Sequence, residues 1–185
     1  MKKVDQTVEH GTPHSGFPTH QVARQGIIAA VYVALTLSGL GISYGPIQFR
    51  FSEILNWLAF LDPKNVIGLT LGCFIANIPS PFGLMDMIFG TAGTLFATLL
   101  MAKTKSVWIA SIWPAVFSFI YSAEALLLGQ ITADLYIATT ASIMLSEFVI
   151  VGVIGLPVMA IVLRNERLQN AFIDPTVLPT KASWT

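Results

Sequence analysis

Charged and amide side chains recur within stretches of this sequence that are otherwise strongly apolar. The segment from Gly45 to Asp62 places Arg50 and Glu53 beside tryptophan, leucine and phenylalanine residues. A charge next to hydrocarbon is costly, so such residues need a partner or a function. Further polar residues lie in or beside the later apolar stretches. Together they form the candidate ligand site: Gln48, Arg50, Glu53, Asn77, Asp86, Tyr121, Glu124 and Glu147.

The four acidic residues of this set accompany only one arginine, which indicates the kind of ligand they could bind. A surplus of buried carboxylate suits a ligand that is rich in hydrogen-bond donors, including a cationic one. One carboxylate accepts two hydrogen bonds side by side, which fits the N1–H and 2-amino edge of a guanine ring. Trp57, Phe49, Phe51 and Tyr121 are candidates for stacking on such a ring, although aromatic residues are more often core or interface anchors.

A purely structural explanation stays open for some of these residues. Arg50 and Glu53 are three residues apart, a spacing at which they could pair on a helix. Asp86 could cap the apolar helix in which it lies. Neither explanation covers Glu147, because its own apolar stretch contains no basic residue.

The composition indicates an integral membrane protein. Hydrophobic residues make up 54% of the 185 residues and charged residues only 11%, whereas a soluble domain carries about 25% charged residues. The net charge is zero, so nothing indicates a nucleic-acid partner. Cys73 is the only cysteine, and no disulfide framework is therefore expected.

Apolar stretches separated by polar turns predict six transmembrane helices. The spans cover approximately residues 24–43, 49–61, 66–78, 84–102, 107–128 and 135–163. Pro114 predicts a kink in the fifth span, and Gly155–Pro157 predicts an irregularity in the sixth. We therefore expect an all-α membrane protein with a mobile cytoplasmic tail at residues 1–22, one six-helix domain at 23–164 and a polar cytoplasmic tail at 165–185.

The distribution of basic residues predicts the orientation of these spans. The second span is shorter than the roughly 20 residues that a full crossing needs. If it nevertheless crosses, nine of the ten Lys and Arg residues lie on the cytoplasmic side and only Arg50 lies outside. If it does not cross, seven of the ten lie outside. The positive-inside rule favours six crossings with both termini in the cytoplasm. The candidate residues then converge on the outer half of the bundle, with Glu147 near mid-membrane.

Small residues recur at every fourth position along one face of the first span. They are Gly26, Ala30, Ala34 and Ser38. Small side chains at this spacing let another helix approach closely. The face could pack inside this bundle or dock a separate protein, and the residues alone favour internal packing.

Function classes other than solute binding fit the sequence less well. The three histidines, His10, His14 and His20, lie in the N-terminal tail, so the membrane part has no histidine for a metal site or a Ser–His arrangement. A protease using the carboxylates of Asp86 and Glu147 stays formally possible. No G-x-x-x-x-G-K-[ST] motif occurs, so the chain is not expected to be its own ATPase of that kind. A structural assembly protein would not need several acids on one face, which leaves a solute-binding membrane protein as the favoured interpretation.

Several stretches of the sequence resemble QueT-type proteins, the queuosine-precursor S components of energy-coupling-factor transporters. They are PIQFRFSEIL (Pro46–Leu55), GCFIAN (Gly72–Asn77), GLMDMIFGTAGT (Gly83–Thr94) and SEFVIVGVIGLPV (Ser146–Val158). The resemblance covers about residues 24–163, nearly all of the predicted bundle. Its most specific part is the Q-F-R-x-S-E string.

The resemblance implies a substrate and partners. Such a protein would bind a 7-deazaguanine base from outside, most specifically 7-aminomethyl-7-deazaguanine, with another vitamin-like heterocycle as the alternative. It would work in a bacterial plasma membrane with a coupling subunit and two cytoplasmic ATPase subunits, which use the ATP, so this chain would carry no cofactor. Family members dock the coupling subunit through an A-x-x-x-A face on the first helix. Ala30 and Ala34 match this face, which favours docking over internal packing.

Overall fold

The computed structural model describes residues 18–39, 43–44 and 49–174, and every regular element in these ranges is helical. We number the helices in chain order. They are α1 (Thr19–Ser38), α2 (Phe51–Leu61), α3 (Pro63–Ala76), α4 (Leu84–Lys103), α5 (Val107–Leu127), α6 (Ala133–Val162) and α7 (Glu166–Phe172). Each predicted span thus overlaps one of the helices α1 to α6.

Four of these helices, α1, α4, α5 and α6, are long and apolar enough to cross a membrane. The helices α2 and α3 are apolar but shorter, in the range of 10–17 residues. Helices suit a bilayer because each satisfies its own backbone hydrogen bonds away from water. The chain is therefore a multi-pass helical membrane protein, while the crossing of α2 and α3 and the cytoplasmic position of both termini stay predictions.

The second half of α2 lies in the centre of the core. All residues of Trp57–Leu61 are at most 3% exposed. The α2–α3 turn follows at once, where the Asp62 carboxylate accepts a hydrogen bond from the backbone N–H of Lys64 and caps α3. The Asn65 amide donates to the carbonyl of Leu58 at 3.1 Å, which closes the turn. These bonds satisfy backbone groups that a helix end leaves unpaired.

Helix α1 begins at Thr19, several residues before the predicted start near Arg24, and its last residue is Ser38 instead of about residue 43. Two polar side chains of its first turns, Gln21 and Arg24, are buried against other elements. Arg24 pairs with Asp62 at 3.6 Å, and Gln21 donates to Asp174 at 3.5 Å. Residues 19–22, which were predicted to belong to the tail, are therefore helical, and a tertiary partner satisfies Gln21 among them.

The described part of the predicted cytoplasmic tail, residues 165–174, contains a helix and contacts the bundle. Helix α7 starts after the N-cap Asn165, and the following Ile173 is fully buried. Asp174 forms an ion pair with Lys64 at 2.9 Å. The segment is ordered because it buries an apolar side chain and meets the α2–α3 turn. The rest of the predicted tail, residues 175–185, and most of the N-terminal tail, residues 1–17, lie outside the described residues.

Helices α5 and α6 are irregular where proline was expected to disturb them. Helix α5 is interrupted at residues 111–112, just before Pro114, where a kink was predicted. In α6 the stretch Phe148–Gly155 is a π-helix that ends two residues before Pro157. The indole N–H of Trp57 donates to the carbonyl of Val151 at 2.8 Å within this stretch. A Cβ on Gly155 would lie 2.8 Å from that indole nitrogen, so only glycine allows the indole to pack here.

The small-residue face of α1 does not pack inside the described bundle. Helix α3 contacts a different side of α1, where a Cβ on Gly72 would lie 2.8 Å from the Cβ of Tyr32. The four predicted residues of the face, Gly26, Ala30, Ala34 and Ser38, are all exposed. The internal-packing interpretation, which the residues alone favoured, is therefore wrong for this face.

Candidate functional site

Arg50 lies at the start of α2, is 1% exposed and is surrounded by acceptors. Its Nη2 donates to Asn77 Oδ1 at 2.5 Å and lies 3.7 Å from Asp86 Oδ2. Its Nε donates to the carbonyl of Ser43 at 3.2 Å. The structural alternative of an Arg50–Glu53 pair is therefore not the arrangement found, since the ion pair of Arg50 is with Asp86 on α4.

Further contacts hold this arginine and its partners in place. The guanidinium carbon lies 5.4 Å from the centroid of the Tyr44 ring, and Nη1 lies 3.9 Å from Cys73 Sγ. The Asn77 amide donates to the backbone carbonyl of Asp86 at 3.0 Å, which ties the end of α3 to the first turn of α4. Asp86 lies in that first turn, and its Oδ2 accepts no hydrogen bond from the described residues. All three guanidinium nitrogens of Arg50 therefore contact protein groups.

Glu53 is 2% exposed and has its own set of donors. The hydroxyl of Tyr32 on α1 donates to Glu53 Oε1 at 2.5 Å. The Asn56 amide donates to Oε2, and the Thr94 hydroxyl on α4 lies 3.5 Å from Oε1. Hydrogen bonds to a charged acceptor are stronger than neutral ones. This carboxylate is therefore stabilised without any ligand.

Glu124 on α5 and Glu147 on α6 differ from Glu53 because each has an oxygen atom without a partner. The side chains are 5% and 2% exposed, respectively. Within the described part of the chain, Glu124 Oε1 and Glu147 Oε2 accept no hydrogen bond. Glu147 interacts electrostatically with Glu53 and Arg50, and Glu124 interacts with Asp86 and Arg50. All four acids thus belong to one buried cluster around a single arginine.

Burying an acceptor without a hydrogen bond costs free energy, and the cost is larger for a charged group. A protein tolerates such a group when function requires it or when a ligand supplies the missing donors. Asp86 Oδ2 also accepts no hydrogen bond within the described residues, but it forms an ion pair with Arg50 at 3.7 Å. Glu124 and Glu147 have no such ion pair there, and they are therefore the members of the cluster that are chemically available. A donor-bearing molecule beside them would satisfy oxygens that the protein leaves unpaired.

The aromatic residues proposed for stacking occupy different surroundings. Trp57 is fully buried in the core, while Phe49 and Phe51 are 37% and 41% exposed. Tyr121 is buried in the acidic cluster, where it interacts with Glu53 and Glu147. Its hydroxyl would lie 2.6 Å from a Cβ at position 93, so the glycine there makes room for the ring. Of the stacking candidates, only Tyr121 is a buried member of the cluster.

The model of the QueT transporter family matches residues 22–164 of this chain. The chain belongs to the QueT transporter family. A protein named "Queuosine precursor transporter QueT" from Lactococcus lactis subsp. cremoris (strain MG1363) is 49% identical to it over 79 residues. That match spans 42% of this chain and 46% of the relative, which is less than half the length of either protein. No solved structure matches the chain significantly.

Every described member of the buried cluster lies inside the segment that the QueT family model matches, as do Ala30 and Ala34 on α1. Gln48 also falls in this segment but lies outside the described residues. Membership in a transporter family favours transport over catalysis for this protein. In the described ranges, no group of three or more His, Cys, Asp and Glu residues is placed to hold a metal ion.

Sequence reasoning missed several partners of the cluster. Asn56 lies three residues after Glu53, a helical spacing that could have identified it. Tyr32, Cys73 and Thr94 carry no such signal, because they lie on other helices and meet the cluster only through packing. Cys73 is a free, buried thiol within 3.3 Å of the Thr94 hydroxyl.

Proposed function

We propose that this protein is the substrate-binding S component of an energy-coupling-factor importer in a bacterial plasma membrane. It takes up a queuosine precursor, a 7-deazaguanine base, with the 7-aminomethyl form as the preferred substrate. Family membership and the name of the Lactococcus lactis relative support a queuosine-precursor transporter. The observation that carries the substrate proposal is the pair of buried carboxylates, Glu124 and Glu147, each of which has one oxygen that accepts no hydrogen bond from the described residues.

The 7-aminomethyl base matches these carboxylates chemically. Its guanine edge offers an N1–H and a 2-amino group, and its aminomethyl group is a cation at neutral pH. A carboxylate receives two parallel hydrogen bonds from such an edge, and another can pair with the ammonium group. Arg50 and Glu53 are already satisfied by protein groups. In this mechanism they hold the cluster in place while Glu124 and Glu147 accept from the base.

Transport then requires partner subunits. The base binds from the outer side, and Tyr121 packs beside it in the cluster. ATP hydrolysis in the two cytoplasmic ATPase subunits drives a reorientation of this chain, which exposes the site to the cytoplasm. This chain therefore supplies recognition, and its partners supply the energy.

A binding experiment tests the proposed substrate. Purified protein is titrated calorimetrically with 7-aminomethyl-7-deazaguanine, 7-cyano-7-deazaguanine, guanine and an unrelated vitamin such as thiamine. We expect the aminomethyl base to bind most tightly, since it alone adds a cationic donor to the ring edge. Selective binding of thiamine, with no binding of any deazaguanine, would instead support the second candidate function, an S component or stand-alone transporter for another vitamin-like heterocycle.

The exposed small face of α1 is the proposed docking site for the coupling subunit. Ala30 and Ala34 are exposed on a helix whose opposite side packs against α3. Small side chains allow close approach of a helix from a second membrane protein. In a bilayer no hydrophobic force drives helices together, so their association depends on van der Waals packing. A face of small side chains increases this packing because it lets the two backbones approach closely.

Ala30→Trp and Ala34→Trp should abolish uptake while leaving binding of the base by the isolated protein unchanged. A tryptophan on this face keeps the partner helix at a distance, but both positions are exposed, whereas Tyr32, the partner of Glu53 on the same helix, is fully buried. Co-purification of the coupling subunit and uptake of labelled base measure the effect. Ala141→Trp, at an exposed alanine on α6, is the matched control and should transport normally. Normal uptake by both α1 variants would show that this face does not dock the partner.

A further inference from the structure

Asn56 is fully buried near the end of the first half of α2, and only one side of its amide group is satisfied. Its Nδ2 donates to Glu53 Oε2. Its Oδ1 has no hydrogen-bond partner within the described residues. A buried amide carbonyl without a donor costs free energy, as an unpaired carboxylate does.

The orientation of this amide follows from the chemistry of its neighbour. Glu53 also receives the hydroxyl of Tyr32 at 2.5 Å and lies near that of Thr94, and an ionised carboxylate accepts hydrogen bonds but cannot donate them. The amide must therefore turn its NH₂ group toward Glu53. As a result, its carbonyl oxygen points away from Glu53. Exchanging the positions of the amide oxygen and nitrogen would cost free energy, because the oxygen would then face the carboxylate.

Asn56 also lies next to the part of the bundle that contains the available acids. The following residue, Trp57, bonds to Val151 in the π-helical stretch that begins directly after Glu147. Glu53, the partner of Asn56, interacts electrostatically with Glu147. The unpaired carbonyl thus adds a neutral acceptor to a cluster whose other available acceptors are carboxylates.

We propose that Asn56 determines specificity by direct contact with the bound base, and that its Oδ1 accepts a hydrogen bond from an uncharged ring N–H group. This inference rests on the proposed function, because it assigns a further contact in the same site. A neutral acceptor pairs well with a neutral donor, whereas the carboxylates pair better with the ammonium group and the guanine edge. Asn56 then reads the heterocycle itself, which is common to the aminomethyl and cyano bases.

Asn56→Ala should weaken binding of 7-aminomethyl-7-deazaguanine and of 7-cyano-7-deazaguanine by the same factor, about tenfold. Asn56→Ser is the second variant. The serine hydroxyl can still donate a hydrogen bond within the protein, but the shorter side chain does not reach as far as that of asparagine. Both variants are titrated calorimetrically beside the wild type. Ser52→Ala is the matched control in the same helix, because Ser52 is fully buried and its side chain accepts a hydrogen bond from Thr36, away from the acidic residues. It should leave both affinities unchanged.

Tyr32→Phe separates ligand contact from support of Glu53. This variant removes the other strong donor to the same carboxylate without removing the Asn56 carbonyl. A much smaller loss of affinity in Tyr32→Phe than in Asn56→Ala supports the direct contact. Equal losses in the two variants, or unchanged affinity in both Asn56 variants, would overturn it. Failure of the wild type to bind either base would instead contradict the proposed substrate.

Discussion

Glu147→Gln should weaken binding of the 7-aminomethyl base by about tenfold or more, since roughly 1.4 kcal/mol corresponds to one decade in affinity. The variant keeps the shape of the side chain but removes its charge and one acceptor. Charge-assisted hydrogen bonds contribute about 1.5–3 kcal/mol each, so losing one of them is enough for this effect. Glu147 is 2% exposed, and one of its oxygens accepts no hydrogen bond from the described residues. Neither water nor a neighbouring side chain therefore replaces the interaction that the base loses. Isothermal titration of purified protein measures it.

The 7-cyano base shows which part of the ligand each acid contacts. Loss of an acid that faces the amine should reduce binding of the aminomethyl base more than that of the neutral cyano base. Loss of an acid that faces the ring edge should reduce both equally. Glu124→Gln should behave like Glu147→Gln, and Glu166→Gln, at an exposed acid on α7, is the control.

Glu53→Gln should differ from these variants. Glu53 already accepts from Tyr32 and Asn56, and an amide cannot accept from both without turning its own donors toward one of them. We therefore expect a lower folded yield, with binding by the surviving protein less affected than in Glu147→Gln. If Glu53, Asp86, Glu124 and Glu147 can each be neutralised without changing affinity for either base, the acidic cluster is not the ligand site.

Arg50→Met should be the most destabilising single substitution among the candidate site residues. Methionine keeps most of the apolar volume but removes the cation that Asp86 and Asn77 contact. Removing one member of a buried ion pair leaves an uncompensated charge, which costs about 3–5 kcal/mol. The change is measured as a fall in the unfolding temperature of the detergent-solubilised protein. Arg167→Met, at an exposed arginine on α7, is the matched control and should change it little.

A double substitution separates the ion pair from other effects of Arg50. Arg50→Met combined with Asp86→Leu removes both charges, so the double variant should be more stable than Arg50→Met alone. Equal instability of the two variants would show that Arg50 stabilises the fold through Ser43 and Asn77 instead. An unfolding temperature of Arg50→Met equal to that of the wild type would contradict the role proposed for this pair.

Hydropathy and helix breakers predicted most of the local structure of this chain. Long apolar stretches became α1, α4, α5 and α6, because in a bilayer each apolar segment must satisfy its backbone internally as a helix. Pro114 interrupted α5 as expected, since proline lacks the N–H that a regular helix needs. The polar residues in the apolar stretches also predicted a buried polar cluster, because ionisable groups avoid lipid and face the interior of the bundle.

Pairing within the cluster was decided only by the tertiary structure. Arg50 could have bonded to Glu53 by sequence spacing, but it meets Asp86 and Asn77 from other helices. Glu53 bonds to Tyr32, which lies 21 residues earlier and has no periodic relation to it. Periodicity describes which residues share a helix face, whereas helix packing determines which faces meet.

The surface of α1 and the C-terminal segment show the same difference between what local sequence determines and what tertiary packing determines. The sequence by itself determined that Ala30 and Ala34 share a small face, and only the fold placed this face outside the bundle. Polar composition suggested a tail after residue 165, but Ile173 is buried and Asp174 pairs with Lys64, 110 residues earlier in the chain. Local composition determined the helices and their polar content. Long-range packing, which no local pattern encodes, decided the partners and left Glu124, Glu147 and Asn56 with unpaired acceptors.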